Sequence, residues 1–546
     1  VRTGKDLKSP ESDGGRLATG SLVVELELAG DRLRYTRLTG AGPADGWVSL
    51  SLKGKPLLLA SGQEGTRAAA EAQEQEASRA AREAEGAPLV WLMCEGSRGD
   101  VQPYVAMGIG LQRAGYRVRV LAVEYYRDFV EPYGMLFSCL GCKIVERDDN
   151  APDQERDPYE GQEDAPELMC KEERVREHTA TLLGLLETEA PAAIFTHIWN
   201  MALPFLAWRK CGTVVHSLEF FPFTLYFDRN PEMSRPAYED FVRHGELIEA
   251  ACGLNPMAGC SAEHWKAWRC WRSVCLASPR FVGALALGGA WLSEEQREFL
   301  PTFMKGPVVM DPGMQMAVPS WFGGIDTLKR IQAFLEAGSP PIYVGWGSIP
   351  VSTSWFLVKL IACCRVLRAR AVVCAGWGGF SLETVRSFVA KALPEDPVGV
   401  AAYAEASVLF VGACPHEWLF PRCACAVHHG GAGTTTAAVR AGLPMVITPM
   451  TSDQFNIADW VVGNGVGLRL QPDSEEAMQQ LLTPAWTKAL RQATTDKEMS
   501  ARAKALGEEL RQECAGSIPK MVATVDGLVQ EFRASGPPDG ERAWGW

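Results

Sequence analysis

The chain has 546 residues, which is too many for one hydrophobic core and predicts two large domains with additional segments. With 47% hydrophobic and 22% charged residues it is typical of a soluble globular protein, and a net charge of −12 argues against a nucleic-acid surface. The 16 cysteines are scattered, and the CxxC pair of Cys139 and Cys142 has no second pair or histidine pair nearby, so a zinc site is not expected. No apolar run approaches the roughly 20 residues of a membrane helix. These features favour reduced thiols and a cytoplasmic protein.

The first 86 residues divide into three segments of different composition. Residues 1–20 are polar and rich in Gly and Ser, which predicts disorder. Residues 21–62 hold four short β-type runs separated by turn residues and are predicted to form a small β-meander. Residues 63–86 are rich in Ala, Glu, Gln and Arg, which indicates a charged helical linker. This appendage is either a regulatory or docking module or a spacer.

Residues 87–305 alternate between strand and helix patterns and are predicted to form the first large domain. Apolar runs at 89–93 and 117–123 enclose a helical pattern at 101–114. This β–α–β order predicts a parallel sheet with right-handed crossovers. Residues 146–176 are acidic and rich in Pro and Asp, which predicts an exposed insertion.

A second α/β run covers residues 331–535 and is predicted to form the second large domain. Residues 306–330 contain Pro307, Pro312 and Pro319 and are typical of a connector between domains. Residues 536–546 are predicted to be a tail. The predicted strands of the second sheet are 342–345, 371–375, 408–411, 424–427, 445–448 and 466–470.

Residues 426–454, AVHHGGAGTTTAAVRAGLPMVITPMTSDQ, are the most informative stretch. The pattern predicts a strand, a glycine-rich turn, a helix over 436–441, another strand and a polar loop. Such a turn exposes the first N–H groups of the helix, and these favour an anion such as a diphosphate. Asp453 and Gln454 follow the next strand at the carboxyl edge of the sheet, where a carboxylate and an amide suit a sugar.

Four blocks together resemble GT-B glycosyltransferases that use nucleotide sugars. HHGGAGTT, RAGLPMVITP and DQ are similar to the donor-binding box of sterol 3-beta-glucosyltransferases and of relatives that glycosylate antibiotics and lipids. CEGSRGDVQP, IYVGWGS and PHEWLFPR resemble three further blocks of that group, in the same order. The resemblance implies an α/β protein with two facing Rossmann-like domains, whose final helix (residues 522–532) packs back against the first domain.

The same resemblance implies a reaction and its partners. We expect inverting transfer of a hexose, glucose from UDP-glucose, to the hydroxyl of a sterol or similar apolar alcohol. No metal and no cofactor beyond the UDP-sugar are expected, because the helix terminus carries the diphosphate charge. The protein would be cytoplasmic, with peripheral contact to membranes. Three alternatives remain: transfer to another lipid or natural product, a GT-B nucleotide-sugar epimerase, and an inactive descendant that binds nucleotide sugar or only lipid.

The resemblance also implies donor-binding residues. His429 would contact the diphosphate and the ribose, and Trp377 is a candidate platform for uracil, because Ala413 stands where plant enzymes of the fold have a tryptophan. His428 ranks below His429 and is expected to be structural. The full donor set is Ser348, Trp377, His416, His429, Ala432, Gly433, Thr434, Asp453 and Gln454.

On the acceptor side, the resemblance to GSRGD points to Asp100 as the base that takes the proton of the acceptor hydroxyl. An aspartate at this position can equally be a helix N-cap, and both roles stay open. The family's PWTRT segment is present only as Pro222-Phe223-Thr224 within the aromatic run FFPFTLYF. Phe220, Phe221 and Phe223 are therefore candidates for an apolar acceptor wall, although they could also belong to the core.

Overall fold

The structure is a computed structural model. It describes residues 1–6, 8–12, 15–17, 22–39, 42–52, 55–58, 86–95, 98–140, 170–197, 200–219, 231–265, 273–275, 322–347, 354–412, 414–450, 454–470, 483–515 and 517–535. The chain divides into two compact units, residues 1–88 with 111–117, and residues 89–110 with 118–546. Most of the predicted linker and connector, and the whole predicted tail, lie outside the described residues.

The first unit contains the predicted β-meander. Strands β1 (Leu22–Ala29), β2 (Arg32–Thr39) and β3 (Asp45–Ser49) form an antiparallel sheet, and β4 (Ser51–Leu52) pairs with β5 (Lys55–Pro56). The tight turn between β1 and β2 requires Gly30, whose φ is 63°. Where the sequence predicts disorder, Arg2 forms antiparallel bridges with Trp47 and Glu11.

The second unit contains two sheets, of which the first lies in the predicted acceptor domain. Its strands are β6 (Leu89–Met93), β7 (Arg117–Ala122), β8 (Leu136–Cys139), β9 (Ala193–Thr196), β10 (Val214–Glu219) and β11 (Ser273–Cys275). They lie in the order β8-β7-β6-β9-β10-β11. The helices are α1 (Arg98–Arg113), α2 (Arg127–Val130), α3 (Glu172–Leu186), α4 (Phe205–Cys211) and α5 (Pro231–Cys252). Helix α3 begins within the predicted acidic insertion, and the described part of that segment is therefore partly helical.

The second sheet repeats the same strand order. Its strands are β12 (Ile342–Gly345), β13 (Ala371–Cys374), β14 (Val408–Val411), β15 (Cys425–His428), β16 (Met445–Ile447) and β17 (Gly467–Arg469). All neighbours in the order β14-β13-β12-β15-β16-β17 are parallel. The helices are α6 (Ile325–Glu336), α7 (Ser354–Leu367), α8 (Leu382–Ala392), α9 (Pro397–Ser407), α10 (His416–Leu419), α11 (Ala432–Arg440), α12 (Gln454–Gly463), α13 (Thr483–Thr495), α14 (Lys497–Ala515) and α15 (Ser517–Ser535).

Both sheets therefore have the Rossmann arrangement, in which the strand order reverses between the first and fourth strands. That switch point lies between β6 and β9 in one sheet and between β12 and β15 in the other. Strands β6 and β12 are buried along their whole length, as expected for central strands of a parallel sheet covered on both faces. The carboxyl ends of the strands at each switch point are where such sheets bind ligands.

The final helix packs back against the first sheet, as predicted. Helix α15 contacts β9, and its Ile518 lies 2.6 Å from where a Cβ on Gly110 of α1 would stand. Only a glycine at position 110 allows this approach. None of the described helices is long and apolar enough to cross a membrane.

Candidate donor and acceptor sites

The glycine-rich loop connects β15 to α11 at the switch point of the second sheet. Gly430 has a φ of 94°, and Gly431 is the N-cap at φ −60° and ψ 143°. The carbonyl of Gly431 accepts both the N–H and the hydroxyl of Thr435 at 3.0 Å, so the helix begins at Ala432. The predicted start at residue 436 is therefore wrong by four residues. The N–H groups of the first turn, which includes Gly433 and Thr434, have no acceptor within the helix and suit an anion.

His429 lies where the ends of the central strands meet. A Cβ on Gly347 would lie 3.1 Å from its Cε1, and one on Gly431 would stand against its Nε2 closer than real Cβ atoms come. These two glycines therefore allow the imidazole to lie between the β12 and β15 loops. Burial lowers the pKa of His429 to about 4, so the ring is neutral at pH 7. Its Nδ1 has no hydrogen-bond partner among the described residues, which leaves a buried ring nitrogen for a ligand.

His428 has a different role from its neighbour. Its Nδ1 accepts the N–H of Gly430 at 3.1 Å, so the side chain fixes the turn of its own loop. Burial holds its pKa well below the usual value. The neutral ring then carries its proton on Nε2. The expectation that His428 is structural agrees with this contact.

Gln454 begins α12 and lies beside the glycine loop. Its Oε1 accepts the N–H of Met450 at 2.9 Å, and its carbonyl oxygen lies 3.3 Å from where a Cβ on Gly430 would stand. The structure thus brings Gln454 and the donor loop together, although the amide oxygen already accepts the N–H of Met450. Asp453, its predicted partner, lies outside the described residues.

Of the remaining donor candidates His416, Trp377 and Ser348, the structure describes the side chain of His416 only. His416, on α10, bonds Tyr343 Oη through Nε2 at 2.8 Å and stacks on Phe420 with centroids 4.6 Å apart. The bond to Tyr343 anchors α10 to β12. Donor binding by His416 stays a prediction. Trp377 lies in a 3₁₀ helix directly after β13, but its side chain lies outside the described residues, as does Ser348.

Asp100 lies in the first turn of α1, at the carboxyl end of β6. The helix begins at Arg98, so Asp100 is its third residue and the N-cap interpretation is wrong. Its negative charge acts on Glu95 and on His197, which directly follows β9. Burial lowers the pKa of His197, and the charge of Asp100 partly opposes this. Asp100 follows β6 and His197 follows β9, so both lie at the carboxyl ends of the two strands that flank the switch point of the first sheet.

The sequence interpretation missed His197 and Glu95. A signal for His197 was available, because it directly follows a buried strand at the predicted carboxyl edge. Glu95 had a weaker signal, a lone carboxylate after an apolar strand. The predicted aromatic wall of Phe220, Phe221 and Phe223 lies outside the described residues.

A family model for the erythromycin biosynthesis protein CIII-like C-terminal domain matches residues 389–524. A sterol 3-beta-glucosyltransferase of Saccharomyces cerevisiae is 27% identical over 488 residues, 81% of this chain and 34% of that protein. One from Arabidopsis thaliana is 25% identical over 420 residues, 71% of this chain and 61% of that protein. The chain is a GT-B protein homologous to the sterol 3-beta-glucosyltransferases. It spans about a third of the length of its Saccharomyces cerevisiae relative.

Solved structures agree on this fold. The glycosyltransferase of kitacinnamycin superposes with a TM-score of 0.54 at 15% identity, covering 81% of this chain and 99% of that one. The calicheamicin glycosyltransferase CalG4 gives 0.53 at 14% identity, with 82% and 99% covered. At these identities the likeness shows the GT-B fold alone. The predicted fold class and the resemblance are both confirmed.

Proposed function

We propose that this GT-B protein transfers a hexose, glucose from UDP-glucose, to the hydroxyl of a sterol or similar apolar alcohol, with inversion at the anomeric carbon. The observation that carries the proposal is the start of α11, whose first N–H groups have no acceptor within the helix, close in the chain to the buried, neutral His429. The names of the relatives that match most of the chain support a sterol as the acceptor.

The donor half of the reaction rests on the second sheet. The backbone N–H groups at the start of α11 would bind the diphosphate and stabilise the charge that develops as UDP leaves. Because its imidazole is neutral at pH 7, His429 would act through a hydrogen bond to phosphate or ribose and not as a counter-ion. We propose that the helix terminus makes a metal ion unnecessary.

The acceptor half rests on Asp100. The acceptor hydroxyl would give its proton to this carboxylate while its oxygen forms a bond to the anomeric carbon. The bond from that carbon to the diphosphate oxygen breaks, and its electron pair leaves with UDP. Attack from the face opposite the leaving group inverts the configuration.

We also propose that the reaction takes place in the cytoplasm at a membrane surface. A sterol lies in the bilayer, and a protein that collects it must reach the interface. Vesicle sedimentation with and without sterol would test this: co-sedimentation is expected, and a protein that remains in the supernatant under both conditions would contradict it.

The direct test is incubation with sterols in liposomes and several UDP-sugars, with products identified by mass. A sterol heavier by one hexose supports the proposal. Turnover of polar small molecules alone would favour a natural-product transferase. Conversion of the UDP-sugar into its epimer without transfer would favour the isomerase.

A further inference from the structure

A buried ion pair lies at the carboxyl edge of the first sheet, close to Asp100. Glu95 follows β6 by two residues, and its Oε1 accepts from Arg174 Nη2 of α3 at 2.8 Å. Oε2 of Glu95 and Nε of Arg174 are both buried without a hydrogen-bond partner in the described part of the chain. One oxygen of the carboxylate and one nitrogen of the guanidinium are thus unsatisfied, which is costly in a protein interior.

Two histidines lie in the electrostatic field of Arg174. His178 is one turn beyond Arg174 on the same face of α3, and His244 lies on α5, which packs against α3. Burial first, and then the positive charge of Arg174, lower the pKa of each to about 3, so both rings are neutral. His178 Nε2 and His244 Nδ1 are also buried without a partner among the residues described.

In a second buried ion pair of the same sheet, both oxygens of the carboxylate have hydrogen-bond donors. Glu189 accepts from Arg119 through both carboxylate oxygens, at 2.5 and 3.0 Å, and from Trp91 Nε1 at 2.9 Å. The burial is comparable, with side chains 15% and 12% exposed for Arg119 and Glu189 against 8% and 14% for Arg174 and Glu95. The satisfied pair lies towards the amino edge, because Glu189 precedes β9, whereas the unsatisfied pair lies at the ligand-binding carboxyl edge.

The chemistry of the unpartnered atoms defines what could satisfy them. Glu95 Oε2 needs a hydrogen-bond donor, and Arg174 Nε needs an acceptor. A nitrogen of a neutral imidazole can itself either donate or accept a hydrogen bond. A hydroxyl group donates one hydrogen bond and accepts others, and it carries no charge that would upset an already neutral pair. An anion would be repelled by Glu95, and an apolar group would leave every atom unsatisfied.

We propose that the cluster of Glu95, Arg174, His178 and His244 is an acceptor subsite that binds a second hydroxyl group. The proposal rests on the proposed function, because it places the acceptor at the carboxyl edge of the first sheet beside Asp100. It narrows the acceptor class from a plain apolar alcohol to one with a hydroxyl at each of two positions.

The test compares cholesterol with a panel of cholesterols that carry one extra hydroxyl on the ring system or on the side chain. At least one member should exceed cholesterol in kcat/KM by about tenfold or more, the order expected for a hydrogen bond to a charged group. Values within twofold across the panel would mean that only water occupies the cluster, and the proposal would be overturned.

Variants tie the preference to these residues. Glu95→Gln keeps the shape of the side chain but removes the charge, and His244→Phe leaves the ion pair intact. Both should bring the ratio of kcat/KM for the preferred acceptor over cholesterol close to one. Glu189→Gln, the matched change in the satisfied pair, should leave the ratio unchanged. A ratio that survives in folded Glu95→Gln and His244→Phe proteins would overturn the proposal.

The second-hydroxyl subsite and the proposed function can be rejected by different results. Turnover of cholesterol without any preference would reject the subsite and leave the proposed function standing. Binding of UDP-glucose, measured by calorimetry, without turnover of any sterol would reject the proposed function and the subsite with it.

Discussion

The position of His429 between two glycine loops gives a sharp test of the donor site. Gly431→Ala places a methyl group within 3.3 Å of three ring atoms of His429, the nearest at a separation that real Cβ atoms essentially never show. The φ of Gly431 is −60°, which alanine adopts readily, so the backbone is not strained. The imidazole must therefore move by at least about half an ångström, as expected when an interior is overpacked.

We expect two measurable effects of this change. The free energy of unfolding should fall by about 1 to 3 kcal/mol, the usual cost of overpacking. UDP should bind about two- to tenfold more weakly, because a neutral hydrogen bond contributes about 0.5 to 1.5 kcal/mol and His429 would no longer point at the ligand. Calorimetry with UDP and thermal unfolding measure the two quantities.

A matched glycine controls for the substitution itself. Gly463 is the last residue of α12, and a Cβ there would meet nothing within 4 Å. Gly463→Ala should leave UDP affinity unchanged. If folded Gly431→Ala protein binds UDP as tightly as the parent, the position of His429 does not matter for the nucleotide, and the donor-site argument is wrong.

Three further predictions concern the metal requirement, the catalytic base and the stability of the protein at low pH. UDP should bind with the same affinity in chelator as in magnesium, measured by calorimetry, and a strict magnesium requirement would refute the helix-terminus account. Because Asp100 is inside α1 and not its N-cap, Asp100→Asn should change the melting temperature little while the single-turnover rate falls by about two to four orders of magnitude; a fully active folded variant would place the base elsewhere. The pKa of His429 is lowered to about 4, so the unfolded chain binds more protons below pH 6.5, and stability is lost as the pH falls from about 6.5 to 4. His429 alone contributes about 3 kcal/mol to this loss, so denaturant titrations of His429→Phe should show a shallower pH slope than the parent; an equal slope would mean that the histidine is not buried and neutral.

Sequence periodicity predicted much of the fold because buried parallel strands are continuous apolar runs. Strands β6, β12 and β14 coincide with their predicted bounds, and the other strands of the second sheet differ by one or two residues. The first residues of the helices were harder to predict from the sequence. The run GGAGTTT does not reveal that Gly431, with ψ 143°, is the N-cap and that the helix begins at the next residue. Arg98 and Gly99 are likewise not typical of the first turn of a helix.

The candidate site was predictable where its residues are adjacent in sequence. The donor loop and Gln454 belong to one strand–loop–helix–strand unit, so their proximity follows from the chain order. Glu95 and Arg174, which are in contact, are 79 residues apart in the sequence. Gly347 and His429, which also lie close together, belong to the loops that follow two different strands, β12 and β15. Such contacts depend on tertiary packing, which residue spacing alone does not contain.

The anomeric configuration of the product shows whether this protein transfers glucose to a sterol by a single displacement. The protein would be supplied with a sterol in liposomes and with UDP-glucose labelled with ¹³C at the anomeric carbon, and the sterol product would be analysed by NMR. We expect a β-glucoside, inverted from the α-configuration of the donor. An α-glucoside would contradict the single displacement with Asp100 as base, and no glucoside at all would contradict glycosyl transfer to sterols by this protein.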